Sequence, residues 1–426
     1  MPEGKLKREL SLFKLTMYGI GLIIGAGIYA IIGKTAGLAG NATWLSFVIG
    51  AVIATLTGLS YAELGSMFPK DAGEYIYVRE AAHRKYPAFL IGWLMVFIGI
   101  VASATVSLGF AGYLNVLTGF PVMAGAAGLI IAATILNFWG MRESAMMNMT
   151  LTLISVLGLS IVILLGVTHL NPVNYFEMPN GISGVFSGAI LIFFAFLGFD
   201  EIVNLAQETK NPRKIIPRAI FFSMAITTIL YILVSMVAVG VVPWNQLSKA
   251  EAPLALVVNT AMPGAGYLLS IIALFATANT VLAIIIVQSR VLWGMSKEKS
   301  LPAWLSQVHP IRKTPWVAIL VTMVVALLFV LWGDIRKVAE VSDVGMFLVF
   351  IAVNASLIVI RYKYPNLKRP FRVPFNIGWF PVLPAIGIAV ILALMMYTDA
   401  FSAVVVTGIL VLGTIFFILM QLRKKL

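Results

Sequence analysis

Gly19-Ile20-Gly21-Leu22-Ile23-Ile24-Gly25-Ala26-Gly27-Ile28-Tyr29 is the stretch on which the reading of this chain turns. It lies inside the first long apolar segment, residues 14–35, about the length a helix needs to cross a bilayer. Gly19, Gly21, Gly25 and Gly27 weaken a straight helix there, because each glycine costs about 0.5–1 kcal/mol relative to alanine and frees the backbone to leave the helical region. A break at Gly25-Ala26-Gly27 is therefore expected. Inside a membrane, unwound backbone persists only where it is buried in protein or lines a wet cavity, since lipid offers nothing to its N–H and C=O groups. The competing reading is that the glycines merely let neighbouring helices approach closely. A matching interruption in the other half of the chain decides between the two.

The rest of the chain is as apolar as this segment. Of its 426 residues 60% are hydrophobic and only 11% charged, with a mean hydropathy of +0.98, which makes it a polytopic membrane protein. A net charge of +13 would suit nucleic acid, but the basic residues stand in short clusters between apolar runs, a pattern of membrane topology. Cysteine is absent, which excludes disulfides, cysteine nucleophiles and thiolate metal sites. The N-terminal residues are polar and basic and no small-residue cleavage site follows the first apolar run, so no removable signal peptide is expected.

Twelve apolar segments are expected, at residues 14–35, 41–67, 86–117, 121–138, 148–168, 183–205, 218–242, 264–295, 315–332, 340–362, 381–397 and 401–421. With the N-terminus placed in the cytoplasm, only Lys34, Lys249, Arg336 and Lys337 of the 30 basic residues fall on the outer side. That bias predicts an even number of spans with both termini inside. The expected organisation is a cytoplasmic tail (1–13), a first five-helix unit (14–168), a second (183–362), two further spans (381–421) and a cytoplasmic C-terminal tail (422–426).

The sixth segment supplies the second interruption. It reads Phe193-Phe194-Ala195-Phe196-Leu197-Gly198-Phe199-Asp200-Glu201. Two adjacent carboxylates near mid-membrane are expensive on a continuous lipid-facing helix. They are tolerable where a new half-helix begins near Phe199, since its free N–H groups and positive dipole end favour acids. Segments one and six lie five spans apart, an odd number, so a second copy of a five-helix unit must insert upside down. This is the inverted-repeat plan of secondary transporters, with substrate held between the broken helices.

Four motifs in chain order carry a family resemblance. Gly25-Ala26-Gly27-Ile28-Tyr29 resembles the first-helix signature of the amino acid–polyamine–organocation (APC) transporters. Tyr61-Ala62-Glu63-Leu64 with Phe68-Pro69-Lys70-Asp71-Ala72-Gly73-Glu74-Tyr75 and Gly92-Trp93 is similar to that family's second-to-third helix region. Phe196-Leu197-Gly198-Phe199-Asp200, Glu208-Thr209-Lys210-Asn211-Pro212-Arg213 and Ile216-Pro217-Arg218 resemble its sixth helix and following loop. Ser289-Arg290 through Ser300-Leu301-Pro302 resembles its eighth-helix exit. The resemblance spans ten helices and implies an all-α membrane protein of leucine-transporter type, a 5+5 inverted repeat with discontinuous helices one and six and with helices eleven and twelve peripheral.

A zwitterionic amino acid needs donors for its carboxylate and acceptors for its ammonium, and unwound backbone supplies both. The resemblance places the carboxylate on the N–H groups of Ala26 and Gly27 and the ammonium on the carbonyls of Ile23, Phe194 and Leu197. It also implies that the Phe194 ring covers the substrate and that Ser103 and Ile284 belong to the side-chain pocket. An apolar Ile284 favours a small neutral substrate, whereas a cationic one would prefer a carboxylate or an aromatic face. Proton-coupled relatives carry a lysine in the fifth helix where this chain has Ser155. A serine cannot carry a proton at neutral pH, so Ser155 is instead a candidate sodium ligand with Thr277 and Thr280, oxygen ligands that suit a hard cation. Asp200, Glu201 and Glu208 are candidates for gating or protonation, as is Glu63. No cofactor is expected beyond sodium or a proton as coupling ion.

Other classes fit less well. His83, His169 and His309 fall in three different loops, against a histidine-built metalloenzyme site. No ring of charge or carbonyl-rich filter points to a channel. The expectation is thus a non-enzymatic secondary transporter of the cytoplasmic membrane that moves a small amino acid by alternating access. Its alternatives are an exchanger, a polyamine or organic-cation carrier, or a non-transporting sensor. The expected partners are substrate and lipid, with no nucleic acid and no obligate protein.

Overall fold

The computed structural model describes residues 10–24, 27–69, 73–139, 145–206, 209–297 and 301–423. The helices in chain order are α1 Leu12–Ile24, α2 Gly27–Ala39, α3 Thr43–Met67, α4 Gly73–Ala82, α5 Lys85–Thr118, α6 Val122–Trp139, α7 Ala145–Gly166 and α8 Gly181–Phe193. Then follow α9 Pro212–Val241, α10 Trp244–Leu247, α11 Pro253–Ala261, α12 Ala265–Lys297, α13 Trp316–Val330, α14 Ile335–Lys363, α15 Val382–Met395 and α16 Ala400–Arg423. A two-residue hairpin, Asn376–Ile377 with Phe380–Pro381, precedes α15. Among the described residues nine helical runs are long and apolar enough to cross a membrane, and α1, α13 and α15 are apolar but shorter.

Local chemistry sets the ends. Pro212 opens α9 behind Asn211, which adopts a left-handed φ of 47°; proline suits a first helical position because the N–H it lacks would be unpaired there. This starts the helix six residues before its apolar run. Asp334 caps α14, accepting from the N–H of Arg336 (3.0 Å) and of Lys337 (3.4 Å), so this helix too begins ahead of its apolar stretch. Gly119 closes α5 with φ 73° and returns its N–H to the Asn115 carbonyl at 2.7 Å, the left-handed stop that glycine allows.

The pieces of the first and sixth segments lie at the centre. α1 packs on α7 and α9, α2 on α8, and α3 along both α8 and α9, while α5 runs between α12 and α14. The core between them is aromatic. Phe193 meets Phe347 with ring centres 4.9 Å apart, and Phe199 lies 5.7 Å from Tyr61 and 5.4 Å from Phe350. These rings are fully buried.

On the face that carries Leu10 and its bridge to Thr209, an ion cluster fastens the loop after α14. Glu63, fully buried in α3, accepts from Arg361 Nε at 2.8 Å and Val373 N at 2.7 Å, pairs also with Arg361 Nη2, and has Arg369 Nε at 3.4 Å. Two guanidinium groups and a backbone donor thus occupy Glu63. That engagement gives Glu63, a protonation candidate from the sequence, a fastening role.

Candidate functional site

The sixth segment is visibly interrupted. α8 gives way to one 3-10 turn at Phe194–Phe196, Leu197 is extended, Gly198 takes φ 114°, and a 3-10 helix resumes at Asp200–Leu205. Asp200 Oδ1 accepts the Gly198 N–H at 2.9 Å. The acid therefore stabilises the non-helical turn itself, by binding a donor that lies before the renewed helix. α1 ends at Ile24 and α2 starts at Gly27; Ala26, expected to bind the substrate carboxylate, lies outside the described residues, as does Glu208.

The described ends of the first segment pack backbone against backbone on the interruption of the sixth. A β-carbon on Gly27 would come within 2.2 Å of Ala195 Cα, and one on Gly198 within 2.9 Å of the Leu22 carbonyl carbon. Neither position has room for a side chain, and at Gly198 the positive φ independently favours glycine.

A cavity of about 140 Å³ opens at this crossing, roughly tenfold the volume a single water needs. Ile23, Gly27, Phe194, Leu197 and Ile284 all line it, together with Thr280, Asp200 and Glu201. The lining is half-buried at Gly21, Leu197, Glu201 and Thr280 and buried at Gly27, Phe194, Val106 and Met346, so access lies on the face bearing Leu10. The opposite face is packed shut. A β-carbon on Gly33 would meet the Leu247 carbonyl at 2.4 Å, one on Gly112 would meet the Glu251 carbonyl at 2.3 Å, and Lys34 Nζ donates to the Ser248 carbonyl at 3.1 Å.

Ser103 does not line the cavity. It is fully buried and donates to the Ile100 carbonyl at 2.6 Å. Met95, Ile98, Gly99, Ala102 and Val106 present the α5 face instead, and Ser103 stands one position round the helix from Ala102. Of the three sodium-ligand candidates only Thr280 reaches the cavity. Each donates its hydroxyl proton within its own helix: Ser155 to Leu151 O (3.0 Å), Thr277 to Ala273 O (2.6 Å) and Thr280 to Ala276 O (3.0 Å). Such back-bonding is the ordinary behaviour of helical hydroxyls.

Several contributors carried no signal in the sequence. Tyr231 of α9 is fully buried, and its hydroxyl lies 2.8 Å from the Ile23 carbonyl and 2.9 Å from that of Ala195. One side chain thus joins carbonyl groups of the first and sixth segments. Asn279 lines the cavity with a buried Oδ1 that has no hydrogen-bond partner among the described residues. Gln288 packs on Gly99, where a β-carbon would come within 2.0 Å of its Nε2. Beneath the mouth, burial pushes the Glu74 carboxyl up to about 8, and the nearby charges of Asp200 and then Glu201 push in the same direction. The arrangement offers backbone groups where the interrupted sixth segment meets the first, an apolar wall on α5 and α12, and an acidic mouth.

Comparison with known proteins agrees with this geometry. Residues 10–420 match the amino acid permease family model. The chain is 34% identical to a branched-chain amino acid permease of Bacillus subtilis (strain 168), covering 92% of this chain and 89% of that protein. It is 33% identical to a methylthioribose transporter of the same organism, over 92% and 88% of the two chains. It is 30% identical to cationic amino acid transporter 4 of Mus musculus, over 85% of this chain and 61% of that one. The chain is therefore a member of the amino acid permease family, within the APC superfamily.

Proposed function

We propose that this permease is a twelve-span secondary transporter built as a 5+5 inverted repeat, moving a small neutral amino acid across the cytoplasmic membrane by alternating access. The observation that carries the reading is the cavity where the interrupted sixth segment crosses the first, with Ile23, Gly27, Phe194 and Leu197 in its lining. The first and sixth segments, five spans apart and each seated on a glycine of the other, meet as an inverted repeat requires at its centre. Counting α1 with α2 as one interrupted span, and α13 and α15 as short ones, brings the spans to twelve. With both termini cytoplasmic, as the basic loops favour, the cavity faces inward and the loop bearing α10 and α11 closes the outer side.

The substrate's ammonium is to be received at the carbonyls of Ile23, Phe194 and Leu197, its carboxylate at the donors around Gly27, and its side chain against Ile98, Ala102, Val106 and Ile284. The apolar wall favours an aliphatic side chain. A cationic substrate is the second reading, supported by Asp200 and Glu201 in the lining. Against it, the Asp200 Oδ1 already serves the Gly198 N–H and the wall at Ile98, Ala102, Val106 and Ile284 is apolar.

Uptake of radiolabelled leucine into proteoliposomes, competed with unlabelled arginine, tests the assignment. Leucine is expected to accumulate and arginine to compete weakly; strong competition by arginine with none by isoleucine would reverse the preference. A Phe194→Ala variant is expected to lose at least tenfold in uptake while keeping the wild-type gel-filtration profile, because the buried side of the cavity then loses its aromatic wall.

A further inference from the structure

The cavity leaves one buried acid unused. Asp343 of α14 is fully buried, and neither carboxylate oxygen has a hydrogen-bond partner among the described residues. A carboxylate so placed makes no bond that would account for it structurally, and burying its charge unpaired is strongly unfavourable.

Its position relates it to the transport path. One turn further along α14, Met346 lines the cavity and Phe347 packs on Phe193. One turn earlier Glu340 pairs with Arg336 at 3.1 Å, and the Arg336 side chain is 42% exposed. Residues three and four apart share one helix face, so Arg336, Glu340, Asp343 and Met346 step from the exposed start of α14 to the cavity. Contacts with α5 fix the depth: Ile335 lies beside Gly109 and Gly345 beside Ile98, placing Asp343 between these levels.

Among the described residues the surroundings offer no other charge. α5 has no charged residue after Lys85, α8 has none, and α16 has none before Arg423. Nearby α2 carries Tyr29 and Lys34, the latter engaged by the Ser248 carbonyl, and α5 carries Tyr113, which donates to the Tyr29 carbonyl. The charged and phenolic groups of α3 and α4 (Tyr61, Glu63, Glu74, Tyr75, Tyr77, Arg79, Glu80) belong to the opposite half of the bundle, and α15 has none. Glu340 is the acid that bears on Asp343, with Arg336, Asp334 and Asp399 around Glu340. A metal cation would need several oxygen ligands, and among the described residues no three acidic or histidine side chains gather at one point. A proton needs only one carboxylate.

We propose that Asp343 is the proton-binding site that couples this permease to a proton gradient, an inference resting on the transporter reading above. A proton from outer water passes to Glu340 and then to an Asp343 oxygen, converting carboxylate to neutral acid. When the cavity hydrates that oxygen, the acid returns the proton to water on the inner side, one proton carried per cycle.

Two measurements on the intact protein test it. In the infrared difference spectrum between wild type and Asp343→Asn, a protonated-carboxylic-acid band is expected near neutral pH in the wild type and absent in the variant. In proteoliposomes, the ratio of leucine uptake with an inward proton gradient to uptake without one is expected to be severalfold above one in wild type. It should fall to one in Asp343→Asn and stay above one in Asp343→Glu. Lack of the band in the wild type, an unchanged ratio in Asp343→Asn, or a dependence on sodium in place of protons overturns the proposal. Asn is isosteric with the neutral acid and should fold. A variant that does not fold leaves the wild-type band, followed through a pH titration, to decide. Wild-type protein that takes up no amino acid with or without a gradient overturns the transporter reading instead, while the band still reports whether Asp343 holds a proton.

Discussion

At the scale of single residues, Tyr231 shows how an interrupted helix becomes tolerable within a membrane. Ile23 and Ala195 belong to different segments, yet one phenol meets both carbonyls at a depth where lipid offers them no partner. Removing that hydroxyl with Tyr231→Phe keeps the ring contacts with Phe47 and Phe196 and strips the donor. The expected cost is about 1–3 kcal/mol of stability, the range for orphaning a buried acceptor. It should appear as a lowered melting temperature in detergent, and saturating substrate should restore part of it if an ammonium replaces the donor at Ile23. The motifs brought Ile23, Gly27, Phe194, Leu197 and Ile284 to the cavity but missed by one position at Ser103, because spacing along a chain locates a helix more surely than its rotation. Nothing marked Tyr231, an ordinary tyrosine in an apolar run, since its importance arises only when α9 crosses both segments.

At the scale of elements, the interruptions depend on what glycine lacks. Gly27 sits so close to Ala195 that even a methyl group must push α2 away from the turn at 194–196, and that contact is main chain, which cannot swing aside. Gly27→Ala is expected to reduce uptake by at least tenfold and to destabilise by about 1–3 kcal/mol, as overpacking does. Gly128, where an added β-carbon would have nothing within 4 Å, is the control: Gly128→Ala should leave uptake unchanged and should not lower the melting temperature, since alanine suits a helix interior better than glycine. The sixth-segment interruption was legible because Gly198 and the Asp200-Glu201 pair both resist a buried helix. The 3-10 winding of 200–205, in place of a regular half-helix, was not, since it follows from how the turn is tied through Asp200 to Gly198.

At the scale of the whole molecule, the acid cluster under the cavity makes stability depend on pH. The Glu74 carboxyl is raised to about 8 from an ordinary 4.5, burial being the main cause. The folded protein therefore binds a proton that the unfolded chain has released across that window. Its contribution is fully present below about 4.5 and is lost as pH rises through about 8. Wild type is expected to lose on the order of a few kcal/mol between pH 5 and 8 from this group, seen as a falling melting temperature, and Glu74→Gln should flatten that slope. The sequence by itself determined that this chain lies in a membrane and where its apolar helices run, because burial in lipid demands long uninterrupted hydrophobic stretches. It also determined where the sixth stretch fails, because glycine and paired carboxylates oppose a continuous buried helix locally. Only the tertiary structure decided which face of each helix meets the cavity, that Tyr231 joins the first and sixth segments, that Glu63 fastens a loop, and that Asp343 stands without a partner among the described residues. Those facts depend on helix rotation and on contacts between residues distant in the chain, which no local pattern of residues encodes.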